Sequence, residues 1–252
     1  MAAEPGSVQF SIGRVIGDSF GVYARNFISF TVLALVIGLV SLVFQLLVFL
    51  PMMVSGSQDP TQMNWGVILL GSVIPMIVNA LTQATIIYGT FQDIRGQRAG
   101  IGDCIARGLA SIVPVIVGSI LLSLGFGIGF VLLIVPGLIL LVMWWVYVPA
   151  IVVERKGIIE AFGRSRELTR GRRWHILGLA LIVGIAALVI SFVIGKALQD
   201  PTGQVSTVGS IVQYAVLSVL TAFNSVLVAV GYYYLRVEKE GTDVNAIASI
   251  FD

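Results

Sequence analysis

Charge is what this chain has least of. Only 11% of its 252 residues are Asp, Glu, Lys or Arg, 57% are hydrophobic, and the mean hydropathy is +0.99. Soluble domains carry about 25% charged residues, so a water-facing surface for a chain of this size cannot be assembled. Cysteine and histidine occur once each, as Cys104 and His175. One cysteine excludes an internal disulfide and a multi-thiolate metal site, and one histidine excludes a histidine-rich centre. We therefore expect no metal and no cofactor. The first seven residues, MAAEPGS, have no Lys or Arg to form a positive n-region, so no cleaved signal is expected and the first apolar run is retained.

What the chain has in abundance is long apolar runs. Spans are expected at about 27–50, 65–91, 113–135, 138–153, 174–198 and 208–235, where about 20 residues suffice to cross the hydrocarbon. Pro51 is expected to end the first span, Pro136-Gly137 to form a tight turn before the fourth, and Pro75 to kink the second. Three further segments, at about 10–26, 101–112 and 157–170, have apolar residues at helical spacing along one face, as in helices lying in a membrane interface. In the first, Ile12, Val15, Ile16, Phe20 and Tyr23 share that face. In the second, Asp103 and Arg107 are placed to pair; in the third, Glu160 and Arg164 are. Gly171 fits the residue just past a helix end. The expected fold is thus all-α: a single integral membrane domain over 1–252, with six spans and three interfacial helices. A disordered lead over 1–9, polar loops near 51–64 and 199–207, and a polar tail complete it.

The few charges are unevenly placed. Fourteen of the fifteen basic residues fall before the first span, between the second and third, between the fourth and fifth, and after the sixth; Lys196 is the exception. The positive-inside rule puts those segments and both termini in the cytoplasm. Glu154 to His175 alone holds seven: Arg155, Lys156, Arg164, Arg166, Arg170, Arg172 and Arg173.

Three segments that precede odd-numbered spans align without gaps: IGDSFGVYARNF from Ile16, IGDCIARGLASI from Ile101 and IIEAFGRSRELT from Ile158. Each opens on Ile, has an acid at its third position, and has small or apolar residues at its fourth, fifth and eighth. If repeated, the unit is an interfacial helix followed by a transmembrane hairpin.

The run LLIVPGLILLVMWWVYVPAIVVERKGIIEAFGRSRELTRGRRWHILG resembles the membrane domain of the glycerophosphoryl diester phosphodiesterase family and related bacterial inner-membrane proteins. The resemblance rests on Pro136-Gly137, Trp145, Pro149 and Glu154-x-x-Gly157. It continues through Ala161-x-x-Arg164-Ser165-x-x-Leu168-Thr169-x-Gly171-x-x-Trp174, and includes the later YYYLRVEKEG. It implies a multi-pass inner-membrane module. In the family's enzymes a separate soluble barrel performs catalysis, and its absence from this sequence argues against that activity here.

The residues themselves offer little to catalysis, which for phosphodiesters needs clustered carboxylates or histidines around a cation. Gly125, Gly127 and Gly129 lie within a span and read as helix packing. Arg164, Arg166, Arg170, Arg172 and Arg173 are candidate ligands for anionic lipid head groups, because Arg binds phosphate bidentately and juxtamembrane cations gain about 1 kcal/mol each. The same charges also explain topology. Nucleic acid is not an expected partner; lipids, a protein partner or a second copy are. Gln45, Asn79, Gln83, Gln213 and Asn224 read as helix-to-helix hydrogen bonds, the rival reading being a polar cavity entered near Asn79, Gln83 and Asn224. Function divides accordingly between a non-catalytic module that organises lipids or docks a partner and a transporter or lipid carrier. Reporter fusions after Gly56 and after Lys156 are expected to report opposite sides of the membrane; the same side for both would refute the six-span topology.

Overall fold

The computed structural model describes residues 9–54, 65–97, 100–132, 134–199 and 206–241. The lead over 1–8, the loop over 55–64, most of the turn after Gln199 and the tail from 242 lie outside them. The described residues are helical between short breaks and contain no strand. In order they form α1 Ile12–Arg25, α2 Phe27–Val54, α3 Trp65–Ile94, α4 Ile101–Ala110 and α5 Ile112–Leu132. These are followed by α6 Ile134–Met143, α7 Tyr147–Glu154, α8 Ile158–Thr169, α9 Arg173–Ala197 and α10 Thr207–Glu240. Five of the apolar stretches are long enough to cross a membrane, or six if α4 and the start of α5, bent by 60°, count as one. That architecture is compatible with a membrane protein.

The short helices each stop where the backbone is locally diverted. At the end of α1, the Asn26 side chain donates to the Val22 carbonyl at 3.0 Å and to Asp93 at 2.8 Å. At the end of α8, Gly171 has φ +91°, which glycine adopts without steric cost. After each stop a long apolar helix begins: α2 after α1, α5 after α4, α9 after α8.

Among the described residues the helices therefore fall into three successive units, α1–α3, α4–α7 and α8–α10. Each short helix packs on the last helix of another unit: α4 on α3, α8 on α7, and α1 on α10. This closes a ring. The final helices α3, α7 and α10 touch one another at its centre. Half of the apolar window is buried in each of α3, α6–α7 and α10, against 22% in α2 and 11% in α9. The aligned short segments have equivalent surroundings. Their fourth positions, Ser19, Cys104 and Ala161, are buried, and so are their eighth, Tyr23, Gly108 and Ser165. At Gly108 a small residue is needed because α4 and α3 come close: a methyl group there would collide with the Thr85 side chain.

Several local expectations are corrected. The helix α2 continues through Pro51 to Val54. Pro136 and Gly137 form no turn: they lie in the first turn of α6, where proline needs no hydrogen-bond acceptor for its nitrogen. Gly137 instead allows α6 to approach α5, since a Cβ on Gly129 would sit 3.0 Å from the Gly137 Cα. Gly125 similarly faces Trp144 at 2.8 Å, whereas Gly127 meets nothing. Phe20 is exposed, and the buried face of α1 runs through Val15, Ser19, Val22 and Tyr23. Arg107 lies 5.5 Å over the Tyr88 ring and forms no ion pair with Asp103.

The largest departure is in the fourth span, which breaks into α6 and α7 at residues 144–146. Backbone groups freed inside an apolar bundle must find partners, and α8 supplies them. The Ser165 hydroxyl donates to the Met143 carbonyl at 2.9 Å and accepts from the Val146 N–H at 3.3 Å. Thr169 donates to the same Met143 carbonyl at 3.3 Å. Replacing Ser165 with Val strands a buried donor and acceptor, so Ser165→Val is expected to destabilise the protein by about 1–3 kcal/mol, read as a lower thermal unfolding midpoint. An unchanged midpoint would show that the break needs no such support.

Candidate functional site

Two groups of polar side chains stand out: a charge cluster beyond the ends of α7 and α10, and a set of amides midway along the bundle. The first is built around Glu154, the last residue of α7, whose side chain is 7% exposed. Arg155 follows with φ 53°, and this left-handed turn lets the chain reverse into α8. Arg164 on α8 then reaches back, its Nε 2.9 and 3.0 Å from the two Glu154 oxygens. The Tyr232 hydroxyl donates to the same carboxylate, and Lys156 lies 3.6 Å away. Arg164 also bonds Glu240, to which Arg236 donates at 2.8 Å. Burial alone lowers the Arg164 pKa, but the hydrogen bonds to Glu240 and Glu154 outweigh it and hold the guanidinium above its ordinary value. The segment from Glu154 to Arg164 and the end of α10 from Tyr232 to Glu240 thus meet across this cluster.

This geometry divides the five candidate head-group arginines. Arg164 is enclosed by Glu154, Glu240 and Glu167, not paired with Glu160 as its spacing predicts. Arg172 donates to Glu238 at 2.6 Å, and the other Glu238 oxygen accepts from the Phe10 N–H at 2.7 Å. Arg166 and Arg170 are exposed. Arg173 is half-buried, its Nε without a hydrogen-bond partner. Trp174 beside it is 83% exposed. The face open to a phosphate is therefore Arg166, Arg170 and Arg173.

The second group sits in a cavity of about 500 Å³, within the range of small-molecule sites. Asn79 and Gln83 enter it from α3, Ser119 and Ser123 from α5, Trp144, Trp145 and Tyr147 from the α6–α7 break, and Asn224 from α10. All three residues of the expected polar cavity are thus brought together. The amides do not tie helices to one another. Gln83 donates to Asn79 one turn away at 2.6 Å, and Gln45 donates to Ser41 at 3.2 Å in the same manner. Asn224 is exposed and has no side-chain partner among the described residues. Trp144, Trp145 and Tyr147 as cavity-lining residues were not anticipated; the adjacent Trp144-Trp145 and nearby Pro149 were the available signal of a broken span. No ionisable acid, lysine, arginine or histidine lines the cavity, and among the described residues no group of three His, Cys, Asp or Glu is placed to hold a metal. The arrangement offers hydrogen bonds and shape, and the Ser119 and Tyr147 hydroxyls share a hydrogen bond of 2.5 Å within it.

Replacing Glu154 tests the charge cluster. Glu154→Ala leaves Arg164 and Arg236 facing each other with less counter-charge, and breaking a buried pair costs about 3–5 kcal/mol. Glu154→Gln keeps a hydrogen-bond acceptor and is expected to lose less; equal thermal midpoints for wild type and Glu154→Ala would remove the cluster's structural role. In comparisons with known proteins, residues 99–235 match the model of a family described as a domain of unknown function, DUF7847. No curated protein and no solved structure matches the chain.

Proposed function

The chain belongs to the DUF7847 family, and we propose that it is a non-catalytic, multi-pass protein of a bacterial inner membrane that binds and handles a lipid-like molecule in its mid-bundle cavity. Both termini are cytoplasmic in this reading, with α1, α4 and α8 lying at the cytoplasmic interface, as the distribution of basic residues requires. The convergence of Asn79, Gln83 and Asn224 on one cavity carries the proposal. Amides in an apolar bundle are costly when unpaired, and here they line a space instead of bridging helices. That favours the carrier over the solid module. The resemblance to the membrane domain of glycerophosphoryl diester phosphodiesterases supports a lipid setting for the protein.

A second lipid contact is supported by the exposed Arg166 and Arg170 at the end of α8 and the exposed Trp174 at the start of α9. Exposed indole and guanidinium groups on one short stretch are suited to a membrane surface with anionic head groups. Native mass spectrometry of the purified protein separates the two contacts. Asn79→Leu combined with Gln83→Leu is expected to abolish a tightly retained ligand while leaving anionic phospholipid adducts in place. Arg166→Gln combined with Arg170→Gln is expected to do the opposite. Retention of every adduct in the first variant would remove the cavity as the ligand site.

A further inference from the structure

The polar cavity is not isolated. A second cavity of about 470 Å³ lies against it, between α1, α9 and α10, and Trp145 and Asn224 line both. The shared wall is fixed in place. The Trp145 indole rests on Gly231, where an added methyl group would be 2.5 Å from the ring, and the backbone beside it is held by Ser165. The two sides differ sharply in chemistry. The second cavity is walled by α9 residues such as Ala180, Val183 and Ala187 and by Phe223. The Tyr23 hydroxyl there is already bonded to Thr31 at 2.8 Å.

On the polar side, hydrogen-bonding capacity is left over. The Gln83-to-Asn79 bond leaves the Asn79 amide N–H groups and the Gln83 carbonyl unused, and Asn224 is wholly unpartnered. Among the described residues no charged side chain lines either cavity. A phosphate or ammonium group placed there would lie in an apolar bundle without a counter-ion, at a cost of several kcal/mol. A hydroxyl or amide would meet partners.

We propose that one amphiphile occupies both cavities, an uncharged hydroxyl- or amide-bearing head against Asn79, Gln83 and Asn224 and a hydrocarbon chain on the far side of Trp145. A monoacylglycerol has this chemistry. The inference rests on the cavity being the ligand site and adds the class of ligand and the place of its chain. The chain gains little over the surrounding lipid, which is equally apolar, so discrimination falls on the head.

The test uses full-length protein in nanodiscs, titrated with 1-oleoylglycerol or with its phosphate ester of the same chain, occupancy being read by native mass spectrometry. Oleoylglycerol is expected to bind about tenfold or more tightly than the phosphate ester, the worth of one or two net hydrogen bonds against an unpaired charge. Asn224→Leu is expected to reduce its occupancy about tenfold, and so is Ala187→Trp, which fills the apolar side. Asn79→Leu gives a second head-side variant should Asn224→Leu not fold, as judged by its thermal midpoint. Equal or tighter binding of the phosphate ester overturns the uncharged head. Undiminished binding by folded Ala187→Trp overturns the occupation of both cavities. Binding of neither compound, with no adduct sensitive to Asn79→Leu, overturns the cavity as a ligand site altogether.

Discussion

The carboxylate of Glu154 ends a helix made almost wholly of carbon, and it has to be neutralised where it lies. Its partners come from three places: Arg164 on α8, Tyr232 on α10 and Lys156 in the turn between α7 and α8. Satisfying this one group fixes the reversal after α7, the seat of α8 and the register of α10. Once α8 is seated, Ser165 and Thr169 reach the α6–α7 break and occupy its loose backbone groups. The broken span can then exist without stranded donors, and the break turns Trp144 and Trp145 toward the bundle. The polar cavity is thus coupled to a charge cluster some distance away through a single short helix.

The break is also where the three units stop being alike. The central helices α3 and α10 are continuous, while α6 and α7 are two pieces. In a ring of three equal hairpins the centre would close on itself. Here one of the three inner helices has lost a few residues of regular backbone, and the space appears beside that loss, lined by two indole rings, three amides, hydroxyls and apolar side chains. Small residues set the limits of the rest: Gly129 against Gly137 and Gly231 against Trp145 are positions where a methyl group has no room.

Much of this was legible before any coordinates. Apolar length revealed the long helices, amphipathic spacing revealed the three short ones, and Gly171 marked a helix end through its freedom to take a positive φ. The three-part arrangement was visible in the aligned segments from Ile16, Ile101 and Ile158. Spacing along one helix misled where the true partner was distant. Arg164 stands one turn from Glu160, yet it pairs with Glu154 and Glu240, because a buried carboxylate has more to gain from a guanidinium than an exposed one does. Pro136-Gly137 suggests a tight turn, yet the proline ring is harmless in the first turn of a helix and α6 runs through it. The amides do not bond across helices as their spacing suggests, since periodicity says which face a side chain is on and nothing of whether the facing helix comes near enough to bond.

The ring closes through α1, which lies on α10: Tyr234 donates to Asp18, and Glu238 accepts from the backbone of Phe10. A ribosome delivers α1 well before α10. When α1 emerges, α2 and α3 can take its C-terminal end, Tyr23 bonding Thr31 and both Arg25 and Asn26 bonding Asp93, but the part of its face that meets α10 waits for that helix. Through that interval α2 and α3 can pair and α4 can join them, but the centre stays open on one flank. The ring therefore closes only as α10 arrives, and α1 is fully seated only then.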